Sequence, residues 1–102
     1  SMTISHVIPT DATDFEVKAD SRAYINTITL APNITGTVTG GTLTVKCKAD
    51  GAAEYEELDP NSIDFASPQR LEIQGKVGYF SFTVSGFAGT ATELYIGLDT
   101  DR

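Results

Sequence analysis

The chain holds one cysteine, one histidine and no tryptophan, and these shortages remove most chemistries at once. A single thiol, Cys47, forbids an intrachain disulfide and is compatible with a reducing cytoplasm. A nucleophilic Cys47 would need a base beside it, and His6 stands in an N-terminal segment with no motif around it. His, Cys, Asp and Glu nowhere recur at a metal-ligand spacing, so no metal centre, cofactor or catalytic residue is expected. No run of about 18 apolar residues occurs, so no helix is expected to cross a membrane. No charged stretch precedes an apolar one in the manner of a secretory leader. Ser1 ahead of Met2 reads as the remnant of an expression tag, with Met2 the natural start, which sets the expectation against export.

Basic residues are also scarce. Seven Lys and Arg stand against fourteen Asp and Glu, for a net charge of −7. Recognition of nucleic-acid phosphates needs a basic stripe. The one close basic pair, Lys46 and Lys48, has Glu54, Glu56 and Glu57 on the expected partner strand. That arrangement reads as a cross-strand charge ladder on a solvated face, and nucleic acid is not an expected partner.

What the chain does have is alternation. In Leu43-Thr44-Val45-Lys46-Cys47-Lys48 every odd position is apolar and every even one polar. Phe80, Phe82 and Val84 keep one phase from Lys76 to Ser85, and Leu94, Ile96 and Leu98 do the same. Side chains of a strand point to opposite faces in turn, so period-two alternation marks strands with one dry side. Dry faces must be covered by a second sheet. The fourteen threonines also fit strands better than helices. The expectation is one all-β domain over residues 1–102, an antiparallel β-sandwich of jelly-roll or immunoglobulin-like type. About eight to ten short strands are expected.

Breakers divide the chain. Strands are expected at Thr3–Ile8, Asp14–Ala19, Arg22–Leu30, Ile34–Thr39, Thr42–Lys48, Glu54–Leu58, Ser62–Phe65, Arg70–Gln74, Val77–Ser85 and Thr92–Leu98. Between them lie Gly40-Gly41, Asp59-Pro60-Asn61, Ser67-Pro68 and similar turn residues. Asp50-Gly51, between two alternating runs, signals a hairpin joining Thr42–Lys48 to Glu54–Leu58. Gly86-Phe87-Ala88-Gly89 is expected to close a second, joining Val77–Ser85 to Thr92–Leu98. At most one helical turn is expected, near Asn61–Ile63. In Arg22–Leu30, Tyr24, Ile28 and Leu30 share a face that Asn26 interrupts, with Ile25 opposite. The expected core is Phe15, Val17, Leu43, Val45, Cys47, Ile63, Phe65, Leu71, Ile73, Phe80, Phe82, Val84, Leu94, Ile96 and Leu98.

Candidate sites are few. Asp99-Thr100-Asp101 with other acids suggests calcium, but calcium needs six to eight oxygens from a patterned loop. No such pattern occurs, and a solvated acidic tail is the expectation. Asn33-Ile34-Thr35 matches a glycosylation sequon, which carries no weight without a secretory route. Glu54 and Glu56 are read as ordinary strand surface rather than as a carboxylate pair. Tyr79 and Tyr95 lie opposite the core phase and Phe87 sits in a turn, and such amphipathic aromatics suit contact surfaces. Ile34–Thr39 is uncharged and free of proline, so it lacks the residues that guard a solitary sheet edge. The interface candidates are therefore Ile25, Ile34, Val38, Tyr79, Phe87 and Tyr95.

Two segments carry a resemblance. Gly40-Gly41-Thr42-Leu43-Thr44-Val45 leading to Asp50-Gly51, and Phe82 to Thr92 with its Ser-Gly-Phe-Ala-Gly-Thr-Ala turn, resemble patterns of small β-sandwich structural proteins of tailed bacteriophages. The likeness covers roughly residues 40 to 98 and rests on turn and strand signatures. It implies a non-enzymatic virion component, in the head decoration, neck or tail, assembled in the host cytoplasm. Its implied partners are its own copies and capsid or tail proteins, with no nucleic acid or membrane. By the same analogy a homo-oligomer is expected, a trimer ahead of a dimer, or else a monomer that oligomerises only on its lattice. The competing reading is a carbohydrate-binding or adhesion β-sandwich, which the absence of tryptophan and of a leader disfavours. Fold alone does not choose between them.

Overall fold

The alternation of Leu43, Val45 and Cys47 becomes burial. The computed structural model describes residues 2–30, 35–67 and 70–101, the side chains at 59 and 60 excepted, and in it all three are buried while Thr44, Lys46 and Lys48 are half covered. They belong to the fourth of eight strands; no helix occurs among the described residues. The strands are β1 (Met2–Pro9), β2 (Phe15–Lys18), β3 (Ile25–Leu30), β4 (Val38–Lys48), β5 (Glu56–Asp64), β6 (Leu71–Gln74), β7 (Tyr79–Gly89) and β8 (Glu93–Asp101).

One rule generates the pairing. β1 pairs with β8, β2 with β7, β3 with β6 and β4 with β5, all antiparallel. The chain is thus one long hairpin whose tip is the Asp50-Gly51 turn, the strongest local turn signal it contains. Rolling that ribbon sets β3 beside β8 and β4 beside β7. Two four-stranded sheets result, β1-β8-β3-β6 and β2-β7-β4-β5. This is the jelly-roll order. An immunoglobulin-like sandwich would keep the first two strands in one sheet, whereas β1 and β2 lie in opposite sheets.

The core fills the space between. Ile8, Ile28, Leu71, Ile73, Leu94, Ile96 and Leu98 from one sheet meet Val17, Leu43, Val45, Cys47, Ile63, Phe80, Phe82 and Val84 from the other. The Phe80 and Phe82 rings stack with centroids 6.1 Å apart. Both are wholly buried, and full burial of such a side chain stabilises by about 1.5–3 kcal/mol.

Several expectations are corrected. Gly40-Gly41 does not separate two strands: β4 runs straight through, and its register against β7 shifts on both sides of Gly40, as in a bulge. A Cβ at Gly41, whose φ is +118°, would stand 3.0 Å from the Phe65 ring and the Phe87 backbone. Asp59-Pro60-Asn61 likewise lies within β5, with no helical turn at Asn61–Ile63. Proline is tolerated there because β5 is an edge strand. The expected hairpin through Gly86-Phe87-Ala88-Gly89 does not form either. β7 continues to Gly89, and β8 lies in the other sheet.

Phe15, expected in the core, is exposed, and so is Tyr24, expected to share a face with Ile28, which is buried. Phe15 points inward in register with Phe82, but β2 is a four-residue edge strand that leaves it uncovered on one side. Tyr24 precedes β3 and lies in the link from β2. Asn26, the interruption, is itself fully buried beside Ile28. The expected edge at Ile34–Thr39 is corrected as well: Ile34 lies outside the described residues, and Val38 and Thr39 belong to β4, an inner strand. Finally, Asp99-Thr100-Asp101 is no solvated tail but the end of β8, with Thr100 buried.

Candidate interaction surface

The two sheets leave four edges, at β1, β6, β2 and β5. Unpaired N–H and C=O groups at an edge invite another strand unless charge or proline blunts them. β2 carries Glu16 and Lys18, β6 carries Glu72, and β5 carries Glu56, Glu57 and Asp64 with a proline in mid-strand. β1 is different. From Met2 to Pro9 it holds no Asp, Glu, Lys or Arg, its one proline is its last residue, and it is twice the length of β2 or β6.

Four of the five exposed large apolar side chains, Met2, Ile4, Val7 and Phe15, belong to the edge strands β1 and β2, and the fifth, Tyr24, lies beside Lys76 next to β6. The sides of the sandwich are unequal: β5 and β6 approach each other and close one, while β1 and β2 make no comparable approach on the other. Register with β8 places Met2, Ile4, His6 and Ile8 on the inner face of β1, opposite Thr100, Leu98, Ile96 and Leu94. Ile8 is fully covered, but Ile4 keeps 44% and Met2 48% of its surface in solvent. Phe15 of β2 is exposed at the same open side, and Val7 projects at 47% exposure from the outer face of β1. Burial lowers the pKa of His6, which lies between Ile4 and Ile8 on the inner face of β1.

A second cluster lies on the outer face of the other sheet. Alternation places Glu16 and Lys18 of β2, Tyr79 of β7 and Lys48 of β4 on one side, and Tyr55 reaches it from the link before β5. The Lys48 ammonium sits 4.7 Å from the Tyr55 ring centroid and 5.3 Å from that of Tyr79, with Lys18 4.7 Å from Tyr79. The Tyr55 hydroxyl donates to Glu16 Oε2, which also stands 3.8 Å from Lys48 Nζ. Desolvation, then the hydrogen bond and charge of Glu16, raise the Tyr55 pKa well above the usual phenol range. Cation–π contacts at exposed sites contribute about 0.5–1 kcal/mol each. The polar groups of this cluster are engaged with one another, so it stabilises the face more than it offers ligand contacts.

The six interface candidates do not converge. Ile25, between Gln74 and Asp101, and Tyr95, beside Val7, are half covered on the outer face of the β1-β8-β3-β6 sheet. The Tyr95 hydroxyl donates to Glu93 at 2.9 Å. Tyr79 belongs to the opposite outer face, and Val38 and Phe87 pack against the core. Lys46 faces Glu57 as the charge ladder requires, but Lys48 turns to Glu16. Cys47 is buried and its thiol pKa is raised, mainly by burial. No group of three or more His, Cys, Asp or Glu could hold a metal among the described residues. The residues that sequence reasoning missed are Met2, Ile4 and Val7. Their signal was present in the charge-free run Met2–Pro9.

Comparison with protein-family models, with curated proteins and with solved structures finds no match to this chain.

Proposed function

We propose that the chain is a non-enzymatic structural protein that works by contact, a component of a tailed-bacteriophage virion in the head decoration, neck or tail. The observation that carries this reading is the uncharged, apolar β1 edge on an otherwise acidic jelly roll. A solitary domain gains nothing by leaving such an edge unguarded, whereas a domain that docks side by side uses it. The two segments that resemble phage structural proteins support the same reading. They form neighbouring strands, with Leu43 opposite Val84 and Val45 opposite Phe82, so the two segments lie side by side in one sheet. Jelly rolls are a recurrent architecture of viral capsid proteins, and equally of lectins. The lectin-like alternative would rest on the Tyr55–Tyr79–Lys48 face.

Antibody against the chain, applied to purified virions of the phage or prophage that encodes it, tests the proposal. Labelling of intact particles, with capsid, portal or tail genes beside its own, is the expected result. A neighbouring glycoside hydrolase gene together with unlabelled particles would sink it in favour of the sugar module.

A further inference from the structure

We infer that β1 is the self-association edge, and that its occupant is the β1 strand of a second copy, paired antiparallel about a two-fold axis. The inference rests on the reading of the chain as a protein that works by contact with its own copies and a lattice, and names the surface.

Charge selects the occupant. Each copy carries a net charge of −7, so two copies approach best where neither presents acid. Every other edge carries carboxylates, and pairing β6 with β6, or β5 with β5, would set like charges across the ladder. β1 alone offers eight residues without a charge, and the strand that matches it in length and neutrality on this molecule is another β1. Antiparallel pairing about a two-fold is self-complementary. The side-chain period of two keeps inner faces together, so the exposed Met2 and Ile4 of each copy continue the row already made by Thr100 and Leu98. Two four-stranded sheets become one of eight strands, and the open flank at Phe15 is narrowed from both sides.

An eight-residue edge is small beside a standard interface of about 1,600 Å². Association in free solution is therefore weak. Copies held side by side on a lattice meet at about millimolar effective concentration, which suffices. The contact is a two-fold pair, not the trimer that the resemblance implies.

Sedimentation velocity and amide hydrogen exchange over a series from about 10 µM to about 1 mM, the range a lattice would impose, test the pairing. The expected result is a rising dimer fraction with concentration-dependent protection of β1 amides. Ile4→Lys and Val7→Lys, each at an exposed position, should weaken dimerisation at least about tenfold with an unchanged circular dichroism spectrum. Gln74→Lys, on the β6 edge, should leave it unaltered. A wild-type chain that stays monomeric throughout overturns the inference, as does a dimer indifferent to both β1 lysines. In that second case self-association would stand and only its surface would be wrong. A monomer that still labels virions would separate lattice docking from self-pairing.

Discussion

Asn26 and Thr100 stand directly opposite each other on β3 and β8, both buried, and their side chains do not hydrogen-bond to each other. The Thr100 hydroxyl donates instead to the Met2 carbonyl on β1, at 3.4 Å. Both polar atoms of the Asn26 amide, fully enclosed, are without a protein partner. An unpaired buried amide costs about 1–3 kcal/mol in desolvation. Replacing Asn26 with Leu, of similar size, should therefore raise stability by about 1–2 kcal/mol in urea unfolding. A loss of stability instead would mean that a bound water satisfies the amide, and high-resolution diffraction would locate it.

Phe82 anchors the opposite wall. It is fully buried, stacked on Phe80 and flanked in register by Val45 and Phe15. Phe82→Ala should cost about 3–5 kcal/mol, the transfer term plus the cavity left behind. Phe15→Ala, on a half-exposed ring in the same register, should cost well under half as much. Equal losses in chemical denaturation would show that the β2 edge is covered after all.

A clasp joins the approach to β4 with the exit from β7. The Thr37 N–H donates to Thr90 Oγ1 at 3.0 Å, and the Thr90 N–H donates to Thr37 Oγ1 at 3.2 Å. The Thr37 carbonyl accepts from the N–H groups of Thr90 and Ala91, both at 3.0 Å. Gly89, at φ +140°, lets the two backbones approach, and a Cβ there would collide with the Thr37 carbonyl. Thr90→Val should cost about 1 kcal/mol and Gly89→Ala about 1–3 kcal/mol. Thermal unfolding of the two variants checks the order, which a milder Gly89→Ala would contradict.

Tyr55 adds an alkaline pH dependence to stability. Its pKa in the folded chain is raised by desolvation and by the hydrogen bond to Glu16, above the unfolded value of 10. The folded state therefore holds this proton more tightly than the unfolded one. The associated stability is complete below pH 10 and is lost as pH climbs toward the folded pKa. Ultraviolet titration of tyrosinate should show a late component that disappears in Tyr55→Phe. Glu16→Gln should move that component toward lower pH. A titration curve unaffected by either change would remove Glu16 from the account.

Alternation by itself determined which segments become strands and which side chains go inside. Phe80, Phe82, Val84, Leu94, Ile96 and Leu98 are buried because period two is a local property of an extended chain. The Asp50-Gly51 turn is equally local, and it is the one hairpin that a short-range signal named correctly. The proposed interaction surface was half legible: Met2–Pro9 announced its lack of charge, but not that it would be an edge. That followed only from tertiary structure. Alternation assigns a face to each residue but says nothing about which strand lies beside which, because every dry face is compatible with every other. Once the ribbon rolls, β7 and β8 part into different sheets, and β4 moves inside. Phe15 keeps its inward phase yet loses cover, because β2 has a neighbour on one side alone. Asn26 is enclosed for the opposite reason, since β6 and β8 flank it whatever its polarity.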